Sequence, residues 1–105
     1  MVVYIAGKMS GLPDLGRGHF NEAAKRMREK GHVVLNPADL PAGMTGDKYM
    51  PICLAMVGVA DAVYALDNWI MSDGAFIEVR YAKYLGKKLM FEKIDFFSEE
   101  TLCET

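Results

Sequence analysis

Glu78 stands on a predicted helix at a position where an apolar residue is expected. At 3.6 residues per turn it shares a side with Ala75, Val79, Ala82 and Leu85, so a carboxyl group interrupts the stripe that should pack against a sheet. Acids are seldom buried without a partner or a task. A carboxylate in this place could serve as a nucleophile or a hydrogen-bond acceptor, and its nearness to the positive end of the helix dipole is expected to favour the ionised form. From position alone, a Glu that merely complements the dipole at a helix edge accounts for it as well. The loop that leads into this helix, Asp67-Asn68-Trp69-Ile70-Met71-Ser72-Asp73-Gly74, carries further polar and aromatic groups. Ser72 is expected first to cap the helix and second to bond a phosphate or sugar; it could be a nucleophile only beside a base. Trp69 could stack on a nucleobase, and a hydrophobic lid on the core is an equal reading.

A second group of candidates is Gly7, Lys8, Met9, Ser10 and Gly11, which directly follows an apolar run. Its backbone amides and the Lys8 ammonium could receive an anion such as a 5'-phosphate, while a flexible turn is the simpler reading of the glycines. The spacing is not that of a Walker loop, and Gly16-Arg17-Gly18 lacks the third glycine of a dinucleotide fingerprint. His19 and His32 have no acidic neighbour in sequence and no metal-ligand spacing, so both are expected at the surface without a role in catalysis or metal binding. Met44, Met50, Met56 and Met71 are expected to pack adaptably rather than to line a cofactor site.

These residues need elements to position them. Short β-branched runs alternate with helical patterns, the order of parallel strands joined by right-handed crossovers. Strands are expected at 2–6, 33–35, 62–66 and 88–91. Phe20, Ala23, Ala24 and Met27 recur at helical spacing until Gly31 supplies a stop. Further helices are expected at about 47–60 and 74–85, with Pro51 tolerated only near the first turn of the former. The segment 37–45 reads as an ordered loop. In such a sheet the ligand crevice lies beyond the carboxyl ends of the strands, here at 7–18, 36–45 and 67–74. The expected fold is therefore α/β, a Rossmann-like three-layer sandwich with a mostly parallel sheet of four to five strands. In the tail from 92, Ser98 is a plausible helix start and Phe96 and Phe97 are expected to pack on the body or a partner.

The 105 residues suit a single domain, 1–105, with one sheet and its covering helices. A net charge of −2 with dispersed Lys and Arg argues against a nucleic-acid polymer as partner. The apolar run at 52–66 is broken by Gly58 and Asp61 and falls short of the ~20 residues that span a bilayer. Cys53 and Cys103 have no metal-type spacing, and a reduced, cytoplasmic setting is the simplest inference, with oxidation between them an open alternative. No metal and no organic cofactor is expected.

A series of motifs runs through the chain: Tyr4-Ile5-Ala6-Gly7-Lys8-Met9-Ser10-Gly11, Phe20-Asn21-Glu22-Ala23-Ala24, Asn36-Pro37-Ala38, Ala60-Asp61-Ala62-Val63, Ser72-Asp73-Gly74-Ala75-Phe76-Ile77-Glu78 and Leu85-Gly86-Lys87-Lys88. In this order they resemble the nucleoside 2-deoxyribosyltransferase-like superfamily, and most closely a small branch frequent in phage and bacterial genomes. The similarity covers roughly residues 2–91. Members exchange or hydrolyse the N-glycosidic bond of deoxynucleosides or nucleoside monophosphates through a glutamate that attacks the anomeric carbon. The resemblance places Glu78 in that role and matches Tyr4 to a tyrosine that hydrogen-bonds the nucleophile. It matches Ser72 to a phosphate contact, with Lys8 and the amides of residues 7–11 completing an anion pocket. It leaves Asp67 and Asp73 as candidates for sugar hydroxyls or for protonating the leaving base. It implies a homodimer or larger homo-oligomer and a small nucleoside or nucleotide as ligand.

One departure stands out. Relatives carry an aspartate in the second helix that assists the leaving group, and the alignment places Cys53 there, where a thiol is a poor substitute. Asp61 is expected to orient the following strand rather than to work in the site. Hydrolysis or transfer of a glycosidic bond is the preferred expectation. A non-catalytic nucleotide-binding protein is the alternative, and a scaffold whose apolar 50–59 helix serves as an interface is a third.

Overall fold

In the computed structural model, which describes residues 1–92, four short strands are assembled into one parallel sheet. The strands are β1 (Val2–Ala6), β2 (Val33–Leu35), β3 (Ala62–Ala65) and β4 (Lys88–Phe91), in the spatial order β2-β1-β3-β4. Tyr4 is the pivot of the register, pairing with Leu35 on one side and Val63 on the other. Helices α1 (Arg17–Glu29), α2 (Gly46–Val59) and α3 (Asp73–Tyr84) make the crossovers. The alternation of side chains along β1 divides the core. Val3 and Ile5 pack with Phe20, Ala23, Ala24 and Met27 of α1, whereas Tyr4 and Ala6 pack with Cys53 and Val57 of α2 and with Ala75, Val79 and Ala82 of α3. One helix therefore covers one face and two cover the other, the three-layer α/β arrangement expected from the sequence. The parallel sheet has four strands among the described residues.

Helix ends follow local chemistry. Ser72 Oγ accepts a hydrogen bond from the Ala75 amide at 3.2 Å, as an N-cap should. Asn36 caps the 3₁₀ turn Pro37–Asp39 by accepting from the Ala38 amide, and its own amide donates to Asn21 Oδ1 on α1, so two of the sequence motifs meet. Asp61 accepts a bond from the Val2 amide at 2.8 Å and so registers β3 against β1.

Three local expectations are corrected. Pro51 lies in the second turn of α2, not the first, and its ring nitrogen cannot return a hydrogen bond to the Asp47 carbonyl. Leu85 caps the end of α3 and is 39% exposed, because the helix stops before the apolar stripe reaches it. The glycines between β1 and α1 belong to a tightly folded loop rather than a loose turn. Asp14 and Leu15 hold left-handed φ of 50° and 54°, and Gly16 follows at 67°, where a Cβ would stand 3.0 Å from the Lys8 carbonyl oxygen. The expectations for Phe96, Phe97, Ser98 and Cys103 lie outside the described residues.

Candidate functional site

The geometry around Glu78 begins with the strand alternation that sends Tyr4 towards α2 and α3. Glu78, on the sheet-facing side of α3, is 7% exposed, and its Oε1 accepts a hydrogen bond from the Tyr4 hydroxyl at 3.0 Å. Cys53 approaches the same pair from α2. Burial pushes the Glu78 carboxyl up to about 7, and the bonds from Tyr4 and Cys53 pull only partly against it. The expectation that the helix dipole keeps this acid ionised is thus overturned. Glu78 sits beyond the first turn of α3, where the dipole has faded, and desolvation decides. Burial also raises the Cys53 thiol, and raises the Tyr4 phenol well above its ordinary range with the Glu78 charge adding to it. The cluster is a carboxyl whose titration is raised to about 7, set between two donors that stay neutral there.

Beside it opens a cavity of about 400 Å³, of a size for a small organic ligand. Of the candidates from the sequence, Tyr4, Gly7, Met9, Ser10, Ser72, Gly74 and Glu78 lie at its wall. Five do not. Gly11 is exposed, and Asp73 is exposed in the first turn of α3. The Lys8 ammonium rests on the Met71 carbonyl at 3.5 Å, and its backbone amide donates to Asn68 Oδ1 at 3.0 Å, which ties the first loop to the third. Trp69 stacks on Phe76 with ring centroids 5.9 Å apart and tilts against Phe91, covering the core as a lid. Asp67 points towards His19.

Other wall residues carry no sequence signal that singles them out. Leu40, Met44, Tyr49 and Met50 form an apolar side, and Arg17 brings a guanidinium, paired at 3.1 Å with Asp14. The Tyr49 hydroxyl donates to the Pro41 carbonyl at 2.6 Å and accepts from the Met44 amide, so the 37–45 segment is held over the cavity from α2. The cavity joins one buried carboxyl, one guanidinium and the hydroxyls of Ser10 and Ser72 to an apolar flank. Such a set can orient a polar ligand with a flat or apolar portion and bring a carboxylate to it.

Residues 1–91 match the model of the family DUF4406, a domain of unknown function. The chain belongs to that family. No curated protein matches it. Among solved structures, this DUF4406 chain is similar to a 2-desoxiribosyltransferase from Leishmania mexicana, with 28% identity and a TM-score of 0.70 over 90% of the chain. It spans 65% of that protein's length. It shares the fold of a 2-deoxyribosyltransferase from Bacillus psychrosaccharolyticus, with 22% identity and a TM-score of 0.71, over 95% of this chain and 81% of that one. The fold of the DUF4406 chain is that of the nucleoside 2-deoxyribosyltransferase-like group.

Among the described residues no helix is long and apolar enough to cross a membrane.

Proposed function

We propose that this chain cleaves or transfers the N-glycosidic bond of a nucleoside or nucleoside 5'-monophosphate, with Glu78 as nucleophile. The observation that carries the reading is the Glu78 carboxyl at the wall of a ligand-sized cavity, fixed by the Tyr4 hydroxyl. In its ionised form Glu78 attacks the anomeric carbon as the carbon–nitrogen bond breaks, and the base leaves with the electron pair and takes up a proton. The glycosyl-enzyme ester is then opened by water or by a second base, so hydrolysis and exchange share one site. Among the lining residues, Ser10, Ser72 and Arg17 supply polar groups suited to a 5'-phosphate or sugar hydroxyls, and Leu40, Met44 and Met50 supply apolar surface suited to the base. Lys8 acts by bracing the loop. The apolar residues left exposed on and before α3, Ile70, Phe76, Ile77, Tyr81 and Tyr84, suit burial in a homodimer.

A second reading, binding without turnover, is favoured by one observation. Among the described residues Glu78 is the sole carboxyl at the cavity wall, and Cys53, which the resemblance sets in place of an aspartate, is a thiol held protonated by burial. Among the described residues at the wall, no second group with the acidity of a carboxylic acid then stands ready to protonate the departing base. The two readings separate when purified protein is incubated with a panel of nucleosides and nucleoside 5'-monophosphates, with and without an acceptor base, and chromatographed. Release or exchange that falls about 10³-fold or more in Glu78→Gln is expected for the enzyme. No turnover, together with thermal stabilisation by the same compounds, selects the binding protein.

A further inference from the structure

On the face of the sheet opposite Glu78, three segments far apart in sequence bring their polar ends together. His19 comes from the first turns of α1, Asp67 from the residues after β3, and Glu92 from the residue after β4. His19 Nε2 stands 2.7 Å from Glu92 Oε1 and 3.9 Å from Asp67 Oδ1, and one ligand atom from each of the three lies within 4.8 Å of the others. Sequence spacing gave no hint of this, since the carboxylates reach His19 only through the parallel sheet.

We propose that His19, Asp67 and Glu92 form a three-ligand site for a divalent first-row metal ion, with zinc as the reference case. Ligand atoms bound to one zinc at ~2.0–2.2 Å stand roughly 3.0–3.5 Å apart, and the two separations from His19 bracket that range. One imidazole nitrogen and two carboxylate oxygens form a borderline donor set, better suited to zinc, cobalt or nickel than to magnesium. Glu92 is prepared as a one-oxygen ligand. Its Oε2 is held by Arg26 at 2.7 Å, while the Asp67 amide donates to Oε1 at 3.0 Å and fixes that oxygen at the centre of the cluster. The Asp67 side chain is 45% exposed, which leaves a path for the ion and for water on its open positions. Binding exchanges the Nε2 proton for the ion. The proton is released, or the imidazole takes the Nδ1–H tautomer, and the His19–Glu92 hydrogen bond becomes a shared metal bridge. Asp67 adjoins Asn68, which holds the Lys8 amide, so an ion here would brace the third loop where it clasps the first.

The test is titration of the chelator-treated full chain with Zn²⁺ by calorimetry and with Co²⁺ by visible absorption. One ion per chain is expected, with binding at least tenfold weaker in His19→Ala and in Asp67→Asn and unchanged in His32→Ala and in Cys53→Ser with Cys103→Ser. His19 and Asp67 are partly exposed, and thermal melts of both variants verify folding. Absence of saturable binding up to millimolar Zn²⁺ would overturn the proposal. So would full binding by both site variants, or an intense sulfur-to-cobalt charge-transfer band, which places the ion on cysteine.

Discussion

Glu78 carries its chemistry in conflict with its surroundings, and the conflict is measurable as stability. Its folded value of about 7 lies above the 4.5 of an unperturbed side chain, so the folded state holds this proton more tightly than the unfolded state. Below about pH 4.5 both states are protonated and no penalty exists; as pH rises towards 7 the unfolded chain ionises first and the fold loses stability, a loss complete above 7 at roughly 3 kcal/mol. Glu78→Gln removes the titration. Thermal melts between pH 4 and 8 are expected to show the variant more stable at pH 8 by about 1–3 kcal/mol, with the advantage gone near pH 4.5. An advantage independent of pH would show that burial of the charge is not the cause. Tyr4→Phe acts in the other direction on the same group. Its hydroxyl is a bond that favours the ionised carboxyl, so its loss moves the Glu78 titration upward from about 7, read as the midpoint of the rate-versus-pH profile of the proposed reaction, and costs about 0.5–1.5 kcal/mol of stability. A fall in rate with an unmoved midpoint would make Tyr4 a packing residue alone.

Among the elements, the first loop shows how a backbone can be as demanding as a side chain. Gly7 follows β1 at the cavity wall, and a Cβ there would meet Leu66 Cδ1 at 2.7 Å and its Cβ and Cγ at 3.0 Å. Leu66 is fully buried and has little room to yield. Gly7→Ala is therefore expected to cost about 1–3 kcal/mol in denaturant melts and to weaken ligand binding as the loop is pushed from Asn68. A neutral effect on both would show that Leu66 repacks. This contact could not be read from Gly7-Lys8-Met9-Ser10-Gly11, where the glycines allow a flexible turn. By contrast, the strands, the α1 stripe and the Ser72 cap were legible, since β-branched runs, a 3.6-residue period and a capping hydroxyl are local signals. The meeting of Glu78 with Tyr4 came from the family resemblance. The Arg17 and Tyr49 positions came from neither, because loop paths and crossovers place them. His19 is the clearest failure of local reading: its acids lie 48 and 73 positions along the chain.

For the whole molecule, the parallel sheet acts as a partition. Val3 and Ile5 belong to the half-core under α1 and Tyr4 and Ala6 to the half-core under α2 and α3, which is where the cavity and Glu78 lie. The two half-cores are separate clusters of packed side chains among the described residues, so perturbations should add across the sheet and couple within a face. Met27→Ala, which hollows the α1 side, is expected to cost about 2 kcal/mol or more. Combined with Tyr4→Phe, the losses should sum to within about 0.5 kcal/mol, because Met27 packs in the half-core on the other side of the sheet from the Tyr4–Glu78 bond. Tyr4→Phe removes the donor of one hydrogen bond and Glu78→Gln exchanges its chargeable acceptor for a neutral one, so the effect of the pair should differ from the sum of the two by more than that margin. Denaturant melts of the single and double variants at pH 8 complete both cycles. Strong coupling between Met27 and Tyr4 would mean that the sheet transmits strain between its faces, and that the α1 side takes part in positioning the site.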